Sequence, residues 1–437
     1  MNEQPTMLVA LTGDSLITRR IAVYEDKPTR DLMARLRDSD VTFGNLEVVP
    51  NDFKGYPVEE SGGAHLGAHS WVVDEMTAAG INVMATANNH SLNYSIEGLL
   101  TTIETLRSRG IAFAGIGRNL AEARMPAYLE TSAGSVALIA CASTFAKGQQ
   151  ASEQRPDLPG RPGLNPLRFN TTYRVPQEQI DWLRTIAEGL GLEQRRLEAI
   201  NMGSRFPPDN PDVFPFLDTS FLAGDEPATQ TTPNKKDIDA IATWVREARM
   251  RADLTVVSLH AHEQGATRED PAEFIVAFAR RMIDEGADMV VGHGPHMLRG
   301  IEIYKGKPIF HSLGNFVGQN ELTHQLPSDY YETTRIDPTA TPGELFRIRS
   351  QNDKRGFPAD KRYWQTVVPI CHYSGGRLTE IEILPVSLGL GDAHHLRGRP
   401  RMARGAEADE ILTRLERLSA AMGTRLNRRD DTLMLTV

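Results

Sequence analysis

The side chains best suited to chemistry in this chain sit in a few short runs, the richest being DMVVGHGPHMLRGIEIYKGKPIFHSLGNFV at 288–317. Its apolar opening, Met289-Val290-Val291, reads as a short buried strand. That run stops at Gly292, and His293-Gly-Pro-His296 follows. A Gly-Pro pair cannot continue a strand, so the backbone must turn just past a strand's carboxyl end, where open α/β sheets hold ligands. Neutral imidazole is the commonest metal-binding side chain, so a histidine pair there is a natural ligand site, though an ordinary polar loop has the same composition. The arrangement recurs. Met7–Leu11 ends in Thr-Gly13-Asp14, and Val41–Phe43 in Gly44-Asn45-Leu46-Glu47. Ile81–Ala85 runs into Asn88-Asn89-His90-Ser91, and Leu254–Leu259 into His260-Ala-His262-Glu263. Asp, Asn and Ser are also common turn and cap residues, but an Asn-Asn-His run after a buried strand is costly unless each group is bonded or ligates something. In an extended segment His260 and His262 would face one side. Asp14, Glu47, Asn89, His260, His293 and His296 thus form a set of oxygen and nitrogen donors at strand ends. Such mixed sets suit Mn, Fe or Zn, and two metal ions sharing a carboxylate suit hydrolytic chemistry.

The elements that must position these residues follow a β-α rhythm. Helices are expected at 28–38, at 69–79 before the C-capping Gly80, and at 94–109 before Gly110, alternating with the strands above and one at 111–114. This pattern predicts an α/β fold with a parallel layered sheet. Strands at 128–130 and 136–141 follow, and the rhythm breaks at Ser143. The proline-rich PDLPGRPGLNP, a helical 176–200 and FPPDNPDVFPF (206–216) define an insertion, 145–233, expected to pack over the open side of the site. Its Phe206, Phe214, Phe216 and Phe221 would line an apolar pocket or form the insertion's own core. The pattern resumes with helix 235–251, strand 254–259 and helix 271–285. A hairpin at 301–304 and 308–310 then returns to His311 and Asn315. Residues 319–362 lack periodicity and read as a long loop; strands at 366–373 and 377–385 and a final helix at 406–421 complete a single domain spanning 1–437.

The formal charge of −9 argues against a nucleic-acid partner, which favours a basic face. Cys141 and Cys371 lie in apolar runs without metal-type spacing and read as buried thiols. The N-terminus has neither a basic n-region nor a long apolar run, and no stretch reaches the roughly 18 apolar residues of a spanning helix. A soluble, cytoplasmic protein without membrane contact is the expectation.

TGD, GNLE, ANNHSLNY, GHGPH and GKPIFHSLGNF, in that order, resemble the successive motifs of the CapA/PgsA family of poly-γ-glutamate capsule proteins, over about residues 7–145 and 250–318. That family is similar to the calcineurin-like metallophosphatases, which implies a layered β-sandwich flanked by helices around two divalent metal ions. The resemblance implies Asp14 and His296 on one ion, Glu47 bridging, Asn89, His260 and His293 on the second, and His90 as an acid/base histidine. Two features depart from it. Capsule-type members are usually membrane-anchored, and where they carry something like His-Trp-Gly-x-Glu this chain has His260-Ala-His262-Glu263, an imidazole replacing a glycine. A soluble branch of the family acts on ribosomal peptides, and resemblance to its lasso-peptide epimerases implies a peptide substrate inverted at the Cα of a C-terminal tryptophan. His90 and His262 would then serve as base and acid on opposite faces, with metal ions stabilising the enolate. The alternatives are a metallo-hydrolase or amide ligase on phosphoester or poly-γ-glutamate substrates, and a non-catalytic scaffold in capsule assembly.

Overall fold

Strands that are apolar at every position must be buried on both faces, and the computed structural model, which describes residues 6–436, shows where each face goes. Val9 and Leu11 point into one core and Ala10 into another. Val256, Met289 and Val291 enter the same core as Val9, while Val257 and Val290 turn away from it into a third. Two sheets therefore face each other across a shared core. Helices Lys27–Arg37 and Val72–Ala79 cover the outer face of one sheet through Leu32, Leu36, Val73 and Met76. Helices Lys235–Arg249 and Glu273–Glu285 cover the other through Ile241, Val245, Phe274 and Phe278. This is the expected helix-flanked α/β sandwich.

In the ten-stranded sheet, Thr6–Leu16, Val41–Leu46, Val83–Ala85 and Ala112–Ala114 run parallel in that order, and Asn315–Gly318 pairs parallel with the first of them. In the six-stranded sheet, Gly134–Ala142, Leu254–His260, Met289–His293 and Lys307–Phe310 are also mutually parallel. Parallel pairing gathers the carboxyl ends of each set at one end of its sheet, and Asp14, Glu47, His260 and His293 sit at such ends, with Asn89, His90, His262 and His296 in the turns that follow.

Three expectations change. The segment 319–362, read as a loop, contains helices Ser328–Thr334 and Pro342–Arg349. The second carries a full start signal, with Thr341 and Glu344 forming a capping box around Pro342; only its shortness hides its periodicity. The helix Gly405–Ala421 does not end the chain, because a hairpin, Asn427–Arg429 and Thr432–Thr436, extends the ten-stranded sheet. Within 145–233, the proline clusters frame a four-stranded sheet of Phe169–Val175, Phe214–Phe216, Thr219–Ala223 and Ala228–Pro233 beside helices Gln177–Gly189 and Leu192–Asn201. Phe214, Phe216 and Phe221 join Ile180 and Ala187 in a small core of their own, whereas Phe206 is 84 % exposed. Cys141 and Cys371 are free and buried. No helix among the described residues is long and apolar enough to cross a membrane.

Candidate metal centre

Glycines set how closely the strand ends meet. A Cβ on Gly13 would lie 2.0 Å from the carbonyl oxygen of Gly314, and the neighbouring Asp14 N–H donates to that oxygen at 2.8 Å. Gly292 packs equally tightly on His311, where a Cβ would come within 2.4 Å of the carbonyl oxygen. The motifs TGD, GHGPH and SLGNF are thus short of side chains where the backbones touch, and this contact aims Asp14 and His293 into the same space. His296 adopts φ +60°, a left-handed conformation that costs a non-glycine residue free energy. It is held there by its Nδ1, 2.9 Å from Asn315 Oδ1.

Glu47 is the centre of the cluster. Its side chain is fully buried, neither carboxylate oxygen has a hydrogen-bond partner, and three imidazoles converge on Oε1. His260 Nε2 and His296 Nε2 each lie 3.6 Å away, and His90 Nε2 lies 3.8 Å away. Asp14 is 3.3 Å from His296 Nδ1 and 3.6 Å from His293 Nδ1, and it accepts from Asn45 Nδ2 at 2.8 Å and from the Gly294 N–H at 3.1 Å. His293 stacks on Phe43, and neither of its ring nitrogens has a partner. Asn89 Oδ1 lies 2.9 Å from His260 Nε2. All six expected donor residues are therefore brought together.

Burial and the charge of Asp14 push the Glu47 carboxyl well above its ordinary range. Burial also raises Asp14, but the hydrogen bond and charge of His296, with His260 and His293, carry it well below the usual carboxylate value. Burial lowers His260 strongly, and His293 to about 4. Neutral imidazoles and orphaned carboxylate oxygens converging in a buried space are what a cation site requires. Two compact groups could hold an ion, Asp14 with Glu47 and His260, and Glu47 with His262 and His296; within each group the donor atoms lie within 4.8 Å of one another. The two groups share Glu47.

His262 stands closer to the donors than an acid/base role requires. The strand stops at His260, yet His262 Nε2 reaches within 3.1 Å of His260 Nε2, and its ring meets that of His296 at 5.1 Å. Thr144 Oγ1 fixes the turn by accepting the His262 N–H and donating to Glu263. Burial, then His296, lowers the His262 imidazole to about 3.

His90 is built differently. Asn93 orients its amide by donating from Nδ2 to Ser61 O and accepting the Leu66 N–H at Oδ1. His90 Nδ1, 2.8 Å from the same Oδ1, must then carry the proton, which leaves a lone pair on Nε2. Burial lowers this imidazole to about 4. The same logic fixes the donor at His296: Asn315 donates to Tyr363 O, so its Oδ1 accepts from Nδ1, and Nε2 faces Glu47.

Above the cluster lies a cavity of roughly 540 Å³, lined by Asn89, His90, His262 and His296 on the floor and by Arg299, Arg349, Arg355, Phe357 and Tyr363 among its walls. The outer wall thus comes from the segment once read as a loop. No residue of 145–233 lines this cavity. Three contributors escaped the motif reading. Asn45 and Asn315 orient Asp14 and His296, and they stand inside the GN pairs of GNLE and LGNF. Arg299 was signalled by a lone charge amid Met297-Leu298 and Ile301, residues that are all buried.

Sequence comparison agrees with this architecture. Residues 8–320 match the family profile of the bacterial capsule synthesis protein PGA_cap. The chain is 35 % identical to the uncharacterized protein y4sH of Sinorhizobium fredii over 431 residues, covering 96 % of this chain and 90 % of that one. It is 25 % identical to the capsule biosynthesis protein CapA of Bacillus anthracis, covering 72 % of this chain and 60 % of CapA. It is also 25 % identical to a probable polyglutamine synthesis accessory protein of Mycobacterium tuberculosis, covering 84 % of this chain and 69 % of that one. The chain belongs to the bacterial capsule synthesis PGA_cap family.

Proposed function

We propose that this chain is a metal-dependent hydrolase or amide ligase acting on peptide-type amides of an acidic substrate. The observation that carries the reading is Glu47, a buried carboxylate with no partner that two donor groups share. Asp14 and His260 would complete one cation site with it, and His262 and His296 the other, with Asn89 and His293 alongside. When bound, divalent ions there supply Lewis-acid polarisation of a carbonyl or phosphoryl oxygen. The protein's own groups do the rest. Asn45, Asn315 and the Gly294 N–H hold Asp14 and His296 in place. His90, neutral and with its lone pair on Nε2, accepts a proton there and returns it to a leaving group. Phe357 and Tyr363 close the cavity against bulk water. The names of the capsule and polyglutamine relatives support amide chemistry on an acidic peptide-like chain.

A second reading, epimerisation at a peptide Cα, is favoured by one observation only: both His90 and His262 line the same cavity. None of the relatives compared above carries such an activity in its name. Incubating the metal-loaded protein in D₂O with a γ-glutamyl peptide, and separately with a peptide ending in tryptophan, tests both. Cleavage or transfer of the γ-glutamyl amide supports the first reading. Uptake of one deuteron at Cα without cleavage replaces it with the second.

A further inference from the structure

The protein carries a net charge of −9, yet the walls of its central cavity are basic. Arg268, Arg299, Arg349 and Arg355 all line it, and among the described residues none of the four lies within 4.0 Å of a carboxylate oxygen. The one acid on the same wall, Glu321, is already engaged by Arg397, with Nη2 at 2.6 Å from its carboxylate. Three of the arginines are exposed, and exposed arginines are often simply solvated. Arg299 is not: it is 1 % exposed and among the largest fully buried side chains. Its Nε donates to Arg268 O at 3.1 Å and its Nη2 to Glu263 O at 2.9 Å, both uncharged carbonyls, while Nη1 has no hydrogen-bond partner among the described residues. Burying a guanidinium without a direct ion pair is expensive, and here burial lowers the group to about 10, against the opposing charges of Glu263 and Asp270. The fold keeps this cost three residues from His296, at the wall of the candidate centre. Arg268 stands beside it, held through Nη1 at 2.5 Å from the Tyr363 hydroxyl, and Arg355 makes no side-chain hydrogen bond among the described residues. Arg349 and Arg355 also border a second cleft, over Gly62 and Gly63, where Arg335 joins them and Glu59, Glu60 and Asp329 balance the charge, so the basic lining is confined to the central cavity.

We propose that Arg299, with Arg268 and Arg355 beside it, forms an anion-recognition subsite that takes a carboxylate or phosphate group of the substrate and so sets which bond reaches the centre. The proposal rests on reading that centre as the reaction site. A planar guanidinium with a free edge matches a two-oxygen anion, and the cost of burying it is offset when that anion binds.

The test is calorimetric binding to the full chain, both chelator-stripped and reloaded with Mn²⁺. The probes are a γ-linked glutamyl tripeptide, its counterpart with every carboxylate amidated, and inorganic phosphate. The wild type is expected to prefer the charged tripeptide over the neutral one by about 10- to 100-fold, the scale of one charge-assisted hydrogen bond, in both metal states. Arg299→Gln should abolish that preference with metal content unchanged. Binding of phosphate but not of the tripeptide, lost in the same variant, supports the subsite with phosphate as its anion. Equal binding of charged and neutral probes by the wild type, or a preference that survives Arg299→Gln, overturns the proposal. If Arg299→Gln does not fold, the double variant Arg268→Ala/Arg355→Ala decides, an unchanged preference again overturning it. A charge preference in a protein that turns nothing over when reloaded refutes the proposed function and leaves the subsite standing; turnover without any preference does the reverse.

Discussion

The floor and the outer wall of the cavity are made in opposite ways. The floor is over-determined. Gly13 against Gly314, Gly292 against His311, and the amides of Asn45, Asn93 and Asn315 hold Asp14, His293, His90 and His296 in place. The wall, from 320 to 363, is built of short helices, three-residue turns and long arginine side chains, most of them exposed. Chemistry needs atoms held to a fraction of an ångström, and close-packed strand ends supply that. Selection of a substrate tolerates, and changes through, a softer wall. The contrast assigns reaction to the floor and specificity to the wall.

The largest effect should follow from removing the shared carboxylate. Glu47→Ala is expected to lose all bound divalent metal and reduce turnover to background, since both donor groups depend on it. Metal analysis of purified protein checks this, together with thermal melts with and without chelator: ligand at about 1,000 times its Kd adds about 4 kcal/mol to the native state, and Glu47→Ala should show no such chelator-sensitive stability. Retention of one full equivalent of metal would break the claim that Glu47 serves both groups.

Next comes His90. His90→Ala should keep wild-type metal content while turnover falls by about 10²-fold or more, the usual scale for a lost general acid or base. His262→Ala separates the roles of the two extra histidines. Loss of metal along with activity makes His262 a donor, as its 3.1 Å approach to His260 suggests. Loss of activity alone returns it to the acid/base role that its place in the sequence first implied.

The strand ends were readable in the sequence because burial on both faces forces continuous apolar runs, and close backbone contact forces glycine directly before the polar residues. Asp14 and His293 follow that grammar, while Glu47 shares only the apolar run and stands three residues after its glycine. His262 does not: its position depends on a turn pinned by Thr144, a residue more than a hundred positions away. Arg299 belongs to no pattern that periodicity can detect; its one mark in the sequence is a charge amid apolar neighbours, and its burial gives that mark a meaning. The wall segment was obscure because eight residues, the length of the helix at 342–349, span barely two turns, too few for a 3.6-residue period to emerge. The insertion was judged from its prolines, which mark turns but not the short strands between them.

Smaller effects belong to the residues that hold the donors. Asn315→Ala removes the acceptor of the His296 Nδ1 proton and should weaken metal binding about 10- to 100-fold, as loss of such supporting hydrogen bonds does elsewhere, with metal titration as the readout. Gly314→Ala strains a position at φ +72° and should destabilise the fold by about 1 kcal/mol. A comparable or larger loss of metal affinity would show that strain there reaches Asp14.

The smallest expected effect falls on the insertion, and it sharpens the comparison from outside. Phe206 was one of four aromatics that could have lined the substrate pocket, but its ring is 84 % exposed, on a segment that contributes nothing to the cavity. Phe206→Ser should therefore change stability by no more than about 0.5 kcal/mol and leave both metal content and turnover as they are. Phe214→Ala should loosen the insertion, because Phe214 packs with Ile180 and Ala187 in its own core; hydrogen exchange should accelerate across 169–233 while the strands 254–260 and 289–293 stay protected. If either substitution altered the KM for a long substrate but not for a short one, the insertion would be gripping the part of the substrate that extends beyond the arginine wall. Specificity would then be divided between two surfaces instead of residing in the cavity wall alone.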